Sequence, residues 1–351
     1  MAFELGMFEE FWRRKGQTEA GAFRDGFAQI EAGERYGLDV CWLAELHVNP
    51  SRSVAAAPLN LASAIAARTQ RMKIGIAVQV LPLCHPLRLA EEVATVDHVS
   101  GGRLIFGVGR SGFARTYEAY GVPYAESRER FTEVLDILRT AFTEERFSYE
   151  GKFHRFRDVH LVPKPLQKPY PEIRIAATSY ETYPAIGAEG YPILIAVRQG
   201  MIEELGPHIR AYREAYRANR HPGQPRIYLR VPVYVGETPE AARREPEHSI
   251  MPFYRELGAQ IAKTATMAGV SASENRGARA EALLNVTYEE TLAQKVIVGS
   301  PDEVADRINE LKATLGIDGI LAEMNCGGLI PHERVMNSIR LMCEVVGPRV
   351  R

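Results

Sequence analysis

The run of residues 72–109 reads MKIGIAVQVL (72–81), PLCH (82–85), PLRLAEEVATVDHV (86–99), SGG (100–102) and RLIFGVG (103–109). Its first and last pieces are β-branched and apolar without a clean alternation, which is typical of parallel strands buried on both faces. The middle piece has the pattern of an amphipathic helix. A strand, a helix and a second strand in this order predict a crossover between two parallel neighbours.

The same alternation of short apolar runs and amphipathic stretches extends toward both ends of the chain. Predicted strands occupy residues 2–8, 38–45, 72–81, 103–109, 172–178, 191–197, 226–238 and 316–324. Predicted helices occupy residues 20–36, 59–69, 86–99, 127–142, 202–217, 300–315 and 332–346, with a further one from Thr182. Eight strands that each precede a helix predict an α/β fold of the TIM (β/α)8 barrel type, with its active site at the carboxyl ends of the strands. An open, doubly wound sheet is the alternative.

Two segments interrupt this rhythm and predict insertions into a single domain that spans residues 1–351. Residues 147–169, after the fourth helix, contain FSYEGKFHRF and VPKPLQKP, which predict a short hairpin and a proline-rich loop. Residues 240–292, after the seventh strand, are polar and helical and contain no strand pattern. A long insertion at the carboxyl end of a strand is more often functional than decorative.

Composition and charge argue against several classes of protein. The 351 residues include 43 lysines and arginines against 44 aspartates and glutamates, and this balance gives no overall basic field for nucleic acid. The four cysteines are too far apart in sequence for zinc-ligand spacing, which favours a reducing compartment and no metal. No apolar run approaches the roughly twenty residues that cross a bilayer, and the amino-terminal stretch lacks a signal-peptide pattern. We therefore expect a cytoplasmic protein with no membrane or nucleic-acid partner.

The sequence GVGRSG at residues 107–112 matches the GxGxxG pattern of dinucleotide-binding loops. A dinucleotide fold needs a helix that opens inside the motif and presents its amino end to a pyrophosphate. Residues 113–123 follow instead and end in GVP, which predicts that the next helix begins no earlier than Tyr124. We therefore interpret these glycines as a strand end that allows a flat ligand to approach the backbone.

Several blocks of sequence, taken together, resemble one known family. The blocks are GLDVCWLAELH (37–47), VLPLCHPLRLAEEVATVDHVSGGRLIFGVGRSG (80–112), YGVPYAESRERF (120–131), RIAATSYET (174–182) and VGSPDEVADRINELKATLGID (298–318). In this order and spacing they resemble the bacterial luciferase-like, flavin-dependent monooxygenases, from about residue 3 to residue 348. The family fold is a TIM barrel, in agreement with the strand count.

The resemblance implies a site for the flavin phosphate at the carboxyl ends of the strands. Its arginines match Arg110, just after the fourth strand, and Arg128, on the following helix. Its hydroxyl and backbone groups match Thr178, Ser179 and Thr182 at the start of the fifth helix. Guanidinium forks and helix amino ends both suit a phosphate. For Arg128 the alternative is a surface ion pair within its helical segment, with Glu126, Glu129 or Glu133, and for the hydroxyl residues it is plain helix capping.

The resemblance also implies contacts with the flavin ring. The family places a non-prolyl cis peptide bond in the third strand beneath the ring, and the matching pair is Ala77–Val78. An ordinary trans bond is the alternative. Gly109 stands where luciferases carry a reactive cysteine, and we expect it to belong to the flavin site.

A second departure from the luciferases concerns the end of the second strand. Luciferases have Glu-His-His there, and the first histidine takes part in the chemistry, whereas this chain has Glu45, Leu46 and His47. Light emission is therefore not expected. His47 is either the catalytic acid or base, since imidazole titrates near neutrality, or a structural histidine bonded to Glu45 or a neighbour.

The family further implies a lid and a homodimer. The insertion at residues 240–292 matches a lid over the flavin, and residues 250–257 (IMPFYREL) are candidates for apolar contacts with a substrate; a helical decoration is the alternative. The dimer is expected to pair through the second and third barrel helices, near residues 59–68 and 87–99.

The resemblance thus implies an FMN-dependent monooxygenase. A separate flavin reductase is expected to supply reduced FMN, which together with O2 oxidises a small organic substrate that the sequence does not identify. Two alternatives stay open at this stage: a deazaflavin-dependent dehydrogenase that moves a hydride without oxygen, and a flavin-binding protein without turnover.

Overall fold

The computed structural model describes residues 2–177, 179–197, 200–264 and 276–351. Within these ranges the strands are β1 (Glu4–Glu9), β2 (Val40–Leu43), β3 (Lys73–Ile76), β4 (Gln79–Val80), β5 (Leu104–Gly109), β6 (Phe147–Glu150), β7 (Arg155–Val159), β8 (Glu172–Ala177), β9 (Ile193–Ala196), β10 (Ile227–Val235), β11 (Ile297–Gly299) and β12 (Gly319–Glu323). The helices are α1 (Glu19–Arg35), α2 (Pro58–Arg68), α3 (Pro86–Val99), α4 (Ala114–Ala119), α5 (Ser127–Thr143), α6 (Tyr183–Glu189), α7 (Leu205–Ala218), α8 (Pro239–Arg244), α9 (Glu247–Thr264), α10 (Arg276–Asn285), α11 (Tyr288–Gln294), α12 (Pro301–Leu315), α13 (His332–Leu341) and α14 (Gly347–Val350).

Eight of these strands form a closed parallel barrel in the order β1, β2, β3, β5, β8, β9, β10 and β12. β12 returns to β1, with Ile320 opposite Leu5, and β9 pairs with β10, with Ile193 opposite Ile227. Each of the eight predicted strands overlaps one strand of this barrel. The prediction of a TIM barrel is therefore confirmed, and the open doubly wound sheet is wrong.

The barrel strands are buried on both faces. On β1, Leu5 and Met7 belong to the large core between the strands and the helices, whereas Phe8 packs with Trp42 in a separate cluster. Trp42 fills space inside the barrel, because a Cβ atom on Gly75 would lie 2.2 Å from its ring. This two-sided burial explains the continuous apolar runs of the strands.

A charged group occupies the interior toward the amino ends of the strands. The Arg174 side chain is 1% exposed and forms two hydrogen bonds to the carboxylate of Glu4, of 2.7 and 2.8 Å, and one of 2.6 Å to Glu172. Its guanidinium carbon lies 3.6 Å from the centre of the Tyr228 ring. These pairs neutralise a charge that would be costly to bury alone.

The two predicted insertions contain the expected kinds of structure. β6 and β7 form an antiparallel hairpin between α5 and β8. The segment between β10 and β11 contains α8, α9, α10 and α11 and no strand in its described residues. Two details of the prediction are wrong. α4 forms between residues 113 and 123, where no helix was expected, and β11 extends the sheet beside β10, with Ile297 opposite Val233.

No helix in the described ranges is long and apolar enough to cross a membrane.

Candidate functional site

The predicted site residues follow strands that end at the same edge of the barrel. His47 comes after β2, and Ala77 and Val78 lie between β3 and β4. Gly109 is the last residue of β5, where it pairs with Val80 of β4, and Arg110 follows it. This edge carries the active site in TIM-barrel enzymes.

The Ala77–Val78 peptide bond is cis, as the resemblance implied. Leu46, Ala77 and Val78 are partly buried apolar residues that pack against the cluster inside the barrel. They provide an apolar surface beside the end of β5.

The glycines at the end of β5 face the neighbouring strand. A Cβ atom on Gly107 would lie 1.9 Å from the carbonyl oxygen of Ile76, and one on Gly109 would lie 2.7 Å from Cγ2 of Val78. The expectation that these glycines make room for a flat ligand is therefore revised. Gly107 makes room for the backbone of β3, and Gly109 makes room for the side chain of Val78. Gly109 therefore affects the site by allowing Val78 to pack beside it.

The side chain of Arg110 is held at the start of α5. Its Nη1 donates a hydrogen bond of 3.1 Å to Oγ of Ser127, whose side chain is buried. The Tyr117 hydroxyl donates a hydrogen bond to the carbonyl oxygen of Arg110 and so fixes its backbone. In the part of the chain that the structure describes, no carboxylate forms an ion pair with Arg110. Its charge is therefore available for an anion at this edge.

Arg128 is linked to the segment after β8. Its Nη2 lies 3.5 Å from Oε1 of Glu181, and its side chain is 65% exposed. The alternative to a phosphate contact was a salt bridge within its own helical segment. The observed partner, Glu181, lies instead in the segment after β8. The Thr182 hydroxyl donates a hydrogen bond of 2.7 Å to the carbonyl oxygen of Ser179. Arg128 thus lies near the turn that contains Ser179 and Thr182, whereas Thr178 lies outside the described residues.

A hydrogen-bonded chain surrounds His47. Its Nε2 lies 2.7 Å from Oε1 of Glu45, and its Nδ1 lies 2.9 Å from the hydroxyl of Tyr120. The other carboxylate oxygen of Glu45 accepts hydrogen bonds from Nε2 of Gln79, at 2.6 Å, and from the backbone N–H of Val80, at 2.8 Å. Glu45 therefore joins His47 to the residues that follow the cis peptide bond.

The sequence reasoning assigned no role to Tyr120 or Ser127. Glu45 was named as a possible partner of His47, and residues two apart at the end of a strand share a face, which supports that pairing. Tyr120 lies 73 residues from His47 along the chain, and no local pattern connects them.

The apolar residues of α9 pack inside the protein. Ile250, Phe253 and Tyr254 are buried with residues of α10 in a cluster of their own. The Phe253 ring lies edge-on to Trp12, and both rings cover the guanidinium of Arg52, at 5.3 and 5.0 Å. The expectation that residues 250–257 offer apolar contacts to a substrate is corrected, because these side chains form a core between the insertion and the barrel.

Buried charges lie beneath this aromatic cover. Arg52 forms hydrogen bonds of 2.8 and 2.6 Å to the two carboxylate oxygens of Glu10. Nη2 of Arg230 lies 2.8 Å from Glu10 and 2.8 Å from Glu323. Two cations and two anions therefore balance each other in the interior, where an isolated charge would be costly.

Comparisons with known proteins identify the family and the fold. A family model described as luciferase-like monooxygenase matches residues 3–319. The chain is 28% identical over 310 residues to the FMNH2-dependent dimethylsulfone monooxygenase of Pseudomonas putida, a match that covers 87% of this chain and 80% of that one. It is 34% identical over 191 residues to the uncharacterised protein y4vJ of Sinorhizobium fredii, and there it spans only about half, 54%, of the relative. F420-dependent dehydrogenases also occur among the relatives.

A solved structure has the same fold. The oxygenating constituent of 3,6-diketocamphane monooxygenase from Pseudomonas putida, in complex with FMN, superposes with a TM-score of 0.82. The alignment covers 100% of this chain and 99% of that chain at 21% sequence identity. Because the family model matches most of its length, the chain belongs to the luciferase-like monooxygenase family.

Proposed function

We propose that this protein is the oxygenase component of a flavin-dependent monooxygenase, which uses reduced FMN and O2 to oxidise a small organic substrate. The observation that carries the proposal is the side chain of Arg110. It is anchored on a buried hydroxyl at the carboxyl edge of the barrel, and among the described residues no carboxylate neutralises it. A guanidinium in this state suits a phosphate group.

The residues around Arg110 fit the two ends of FMN. Arg128 supplies a further donor on the phosphate side, and the turn that contains Ser179 and Thr182 lies beside it. We propose the same role for Thr178, from the resemblance alone. The partly buried Ala77 and Val78 supply an apolar surface for the ring. Reduced flavin, when bound, would supply the electrons for oxygen chemistry, and the protein would position it and limit access of water.

A proton-handling group is needed beside the flavin, and we propose that it is centred on His47. The side chain of His47 is 10% exposed, and both ring nitrogens are hydrogen-bonded. The carboxylate of Glu45 lies next to it and would stabilise an imidazolium that forms during a proton transfer.

We also propose the partners that the family implies. A flavin reductase would supply the reduced FMN, and two copies of the chain would pair through α2 and α3. These helices pack against each other and leave a groove of about 210 Å³ on the surface, lined by Leu59, Ser63, Arg88 and Glu92 among others. The four cysteines are unpaired thiols, which supports the proposal of a cytoplasmic location.

The proposed function is tested by cofactor binding and by oxygen use. FMN and F420 are titrated separately into the protein, and the protein with photoreduced FMN is then mixed with air. We expect FMN to bind more tightly than F420 and the reduced form to consume O2. Preferential binding of F420, with hydride transfer and no O2 consumption, would assign the protein to the dehydrogenases. Binding of FMN without oxidation of any added aldehyde, ketone or sulfonate would favour a flavin-binding protein without turnover.

A further inference from the structure

The ring of His47 has no nitrogen left for a ligand. Nε2 is engaged by Glu45 at 2.7 Å and Nδ1 by the hydroxyl of Tyr120 at 2.9 Å. A general acid or base must lie within hydrogen-bond reach of the proton that it transfers. A direct proton transfer from His47 to a flavin or a substrate would therefore require one of these two bonds to break.

The partners of Glu45 determine which nitrogen of His47 carries the hydrogen. One oxygen of Glu45 already accepts two hydrogen bonds, from Gln79 and from the backbone of Val80. An ionised carboxylate can only accept, so Nε2 of a neutral His47 is the protonated nitrogen. Nδ1 then has a lone pair, and the Tyr120 hydroxyl donates its hydrogen to it. The order of donors is therefore Tyr120 to His47 to Glu45.

Tyr120 is the outermost member of this chain. It is 48% exposed, whereas the side chains of His47 and Glu45 are 10% and 3% exposed. Among these three hydrogen-bonded side chains, Tyr120 is therefore the one that a molecule entering from outside can contact. Partial burial, followed by the negative charge of Glu45, raises the pKa of Tyr120 above its ordinary value, so the phenol is protonated at neutral pH.

We propose that Tyr120 is the catalytic residue that exchanges a proton with the reacting group, and that His47 and Glu45 are positioning residues that act through it. When the reacting group gives up a proton, the Tyr120 oxygen accepts it while the phenolic hydrogen moves to Nδ1 of His47. The resulting imidazolium is stabilised by Glu45, which stays ionised. In the reverse direction Nδ1 returns its proton to the Tyr120 oxygen, and the phenol donates its own. Each transfer moves one proton, and Tyr120 ends as it began.

This inference rests on the proposed function, and its test uses two readouts. The first is the nitrogen-15 spectrum of the His47 ring in the protein without flavin, which identifies the protonated nitrogen. We expect the Nε2–H form in the wild type and in Tyr120→Phe, and a loss of this preference in Glu45→Gln. The second is the rate of hydrogen peroxide release when photoreduced FMN, bound by an excess of the protein so that none is free in solution, meets air. In this reaction reduced FMN and O2 give FMN and H2O2.

The variants for the second readout are Tyr120→Phe, His47→Ala and the double variant, with Tyr124→Phe as the matched control on the same segment. We expect Tyr120→Phe to lower the rate of peroxide release by about 10²–10⁴-fold, as is common for the loss of an acid or base. We expect the double variant to match Tyr120→Phe within about threefold, because residues that act as a unit are not additive. The rate of peroxide release in Tyr124→Phe should equal that of the wild type. The affinity of each variant for FMN should also stay at the wild-type value.

Two results would overturn the inference while the proposed function stands. One is a Tyr120→Phe rate within about twofold of the wild type. If His47→Ala then loses at least tenfold, the chemistry returns to His47. The other is an Nδ1–H form of His47 in the wild-type protein, which would reverse the order of donors. A wild-type protein that does not bind FMN would instead overturn the proposed function, and this inference with it.

Discussion

Replacement of Arg110 by alanine should weaken the binding of FMN far more than that of riboflavin, which lacks the phosphate. Arg110 is held by Ser127, and its charge has no carboxylate partner in the described part of the chain. The variant therefore loses a charged contact with the phosphate without leaving a carboxylate unpaired. A hydrogen bond to a charged group contributes about 1.5–3 kcal/mol, which corresponds to about a ten- to hundredfold rise in the Kd of FMN.

Arg128 should contribute less than Arg110. Its side chain is 65% exposed and already lies 3.5 Å from Glu181, so water and this carboxylate reduce what it offers to a phosphate. Exposed pairs contribute about 0.2–1 kcal/mol, which predicts a loss of about fivefold or less in Arg128→Ala. The loss should shrink further at high salt, because exposed charges are screened.

Quenching of flavin fluorescence measures both affinities for each variant. Arg110→Lys keeps the charge without the two-pronged guanidinium and should lie between the wild type and Arg110→Ala. Arg115→Ala removes an exposed arginine from the neighbouring α4 and serves as the control for net charge. Equal losses for FMN and riboflavin in Arg110→Ala would refute the phosphate role, since they would show that Arg110 only braces the loop after β5.

Three further predictions concern the barrel and its assembly. Gly107→Ala should destabilise the protein by at least about 3 kcal/mol in denaturant unfolding, because its Cβ atom would lie 1.9 Å from a backbone oxygen. Gly112→Ala is the control and should cost less, because its Cβ atom would have nothing within 4 Å. Equal losses in the two variants would contradict this packing. Burial raises the pKa of Glu9 to about 7 from 4.5, so the free energy of unfolding should fall as the pH rises between these values. Glu9→Gln should remove this fall and raise the free energy of unfolding by about 1–3 kcal/mol at pH 8. A pH profile that is unchanged in Glu9→Gln would show that Glu9 is ionised in the folded protein. Light scattering at micromolar concentration should give the mass of a dimer, and a monomer mass would rule out the proposed pairing of α2 and α3.

Much of the fold and part of the site follow from local sequence. Eight apolar runs without alternation, each followed by a helical pattern, require parallel strands covered on both sides, and this constraint leads to the barrel. The carboxyl edge then collects whatever follows each strand, such as His47 and Arg110, and the family resemblance adds Ala77 and Val78 to the same edge. Glu45 is within reach of sequence reasoning as well, because it lies two residues from His47.

The contacts that give these residues their chemistry depend on tertiary structure. Tyr120 meets His47 across 73 residues, and Arg128 meets Glu181 across 53, so both contacts depend on the paths of loops between elements. The glycines of β5 show the same limit: the motif suggested room for a ligand, and the register of the barrel gives that room to β3. The apolar residues of α9 fit a substrate contact by composition, and packing against α10 and Trp12 buries them instead. Apolar periodicity along a chain determines which residues are buried, whereas strand register and loop path determine which side chains meet.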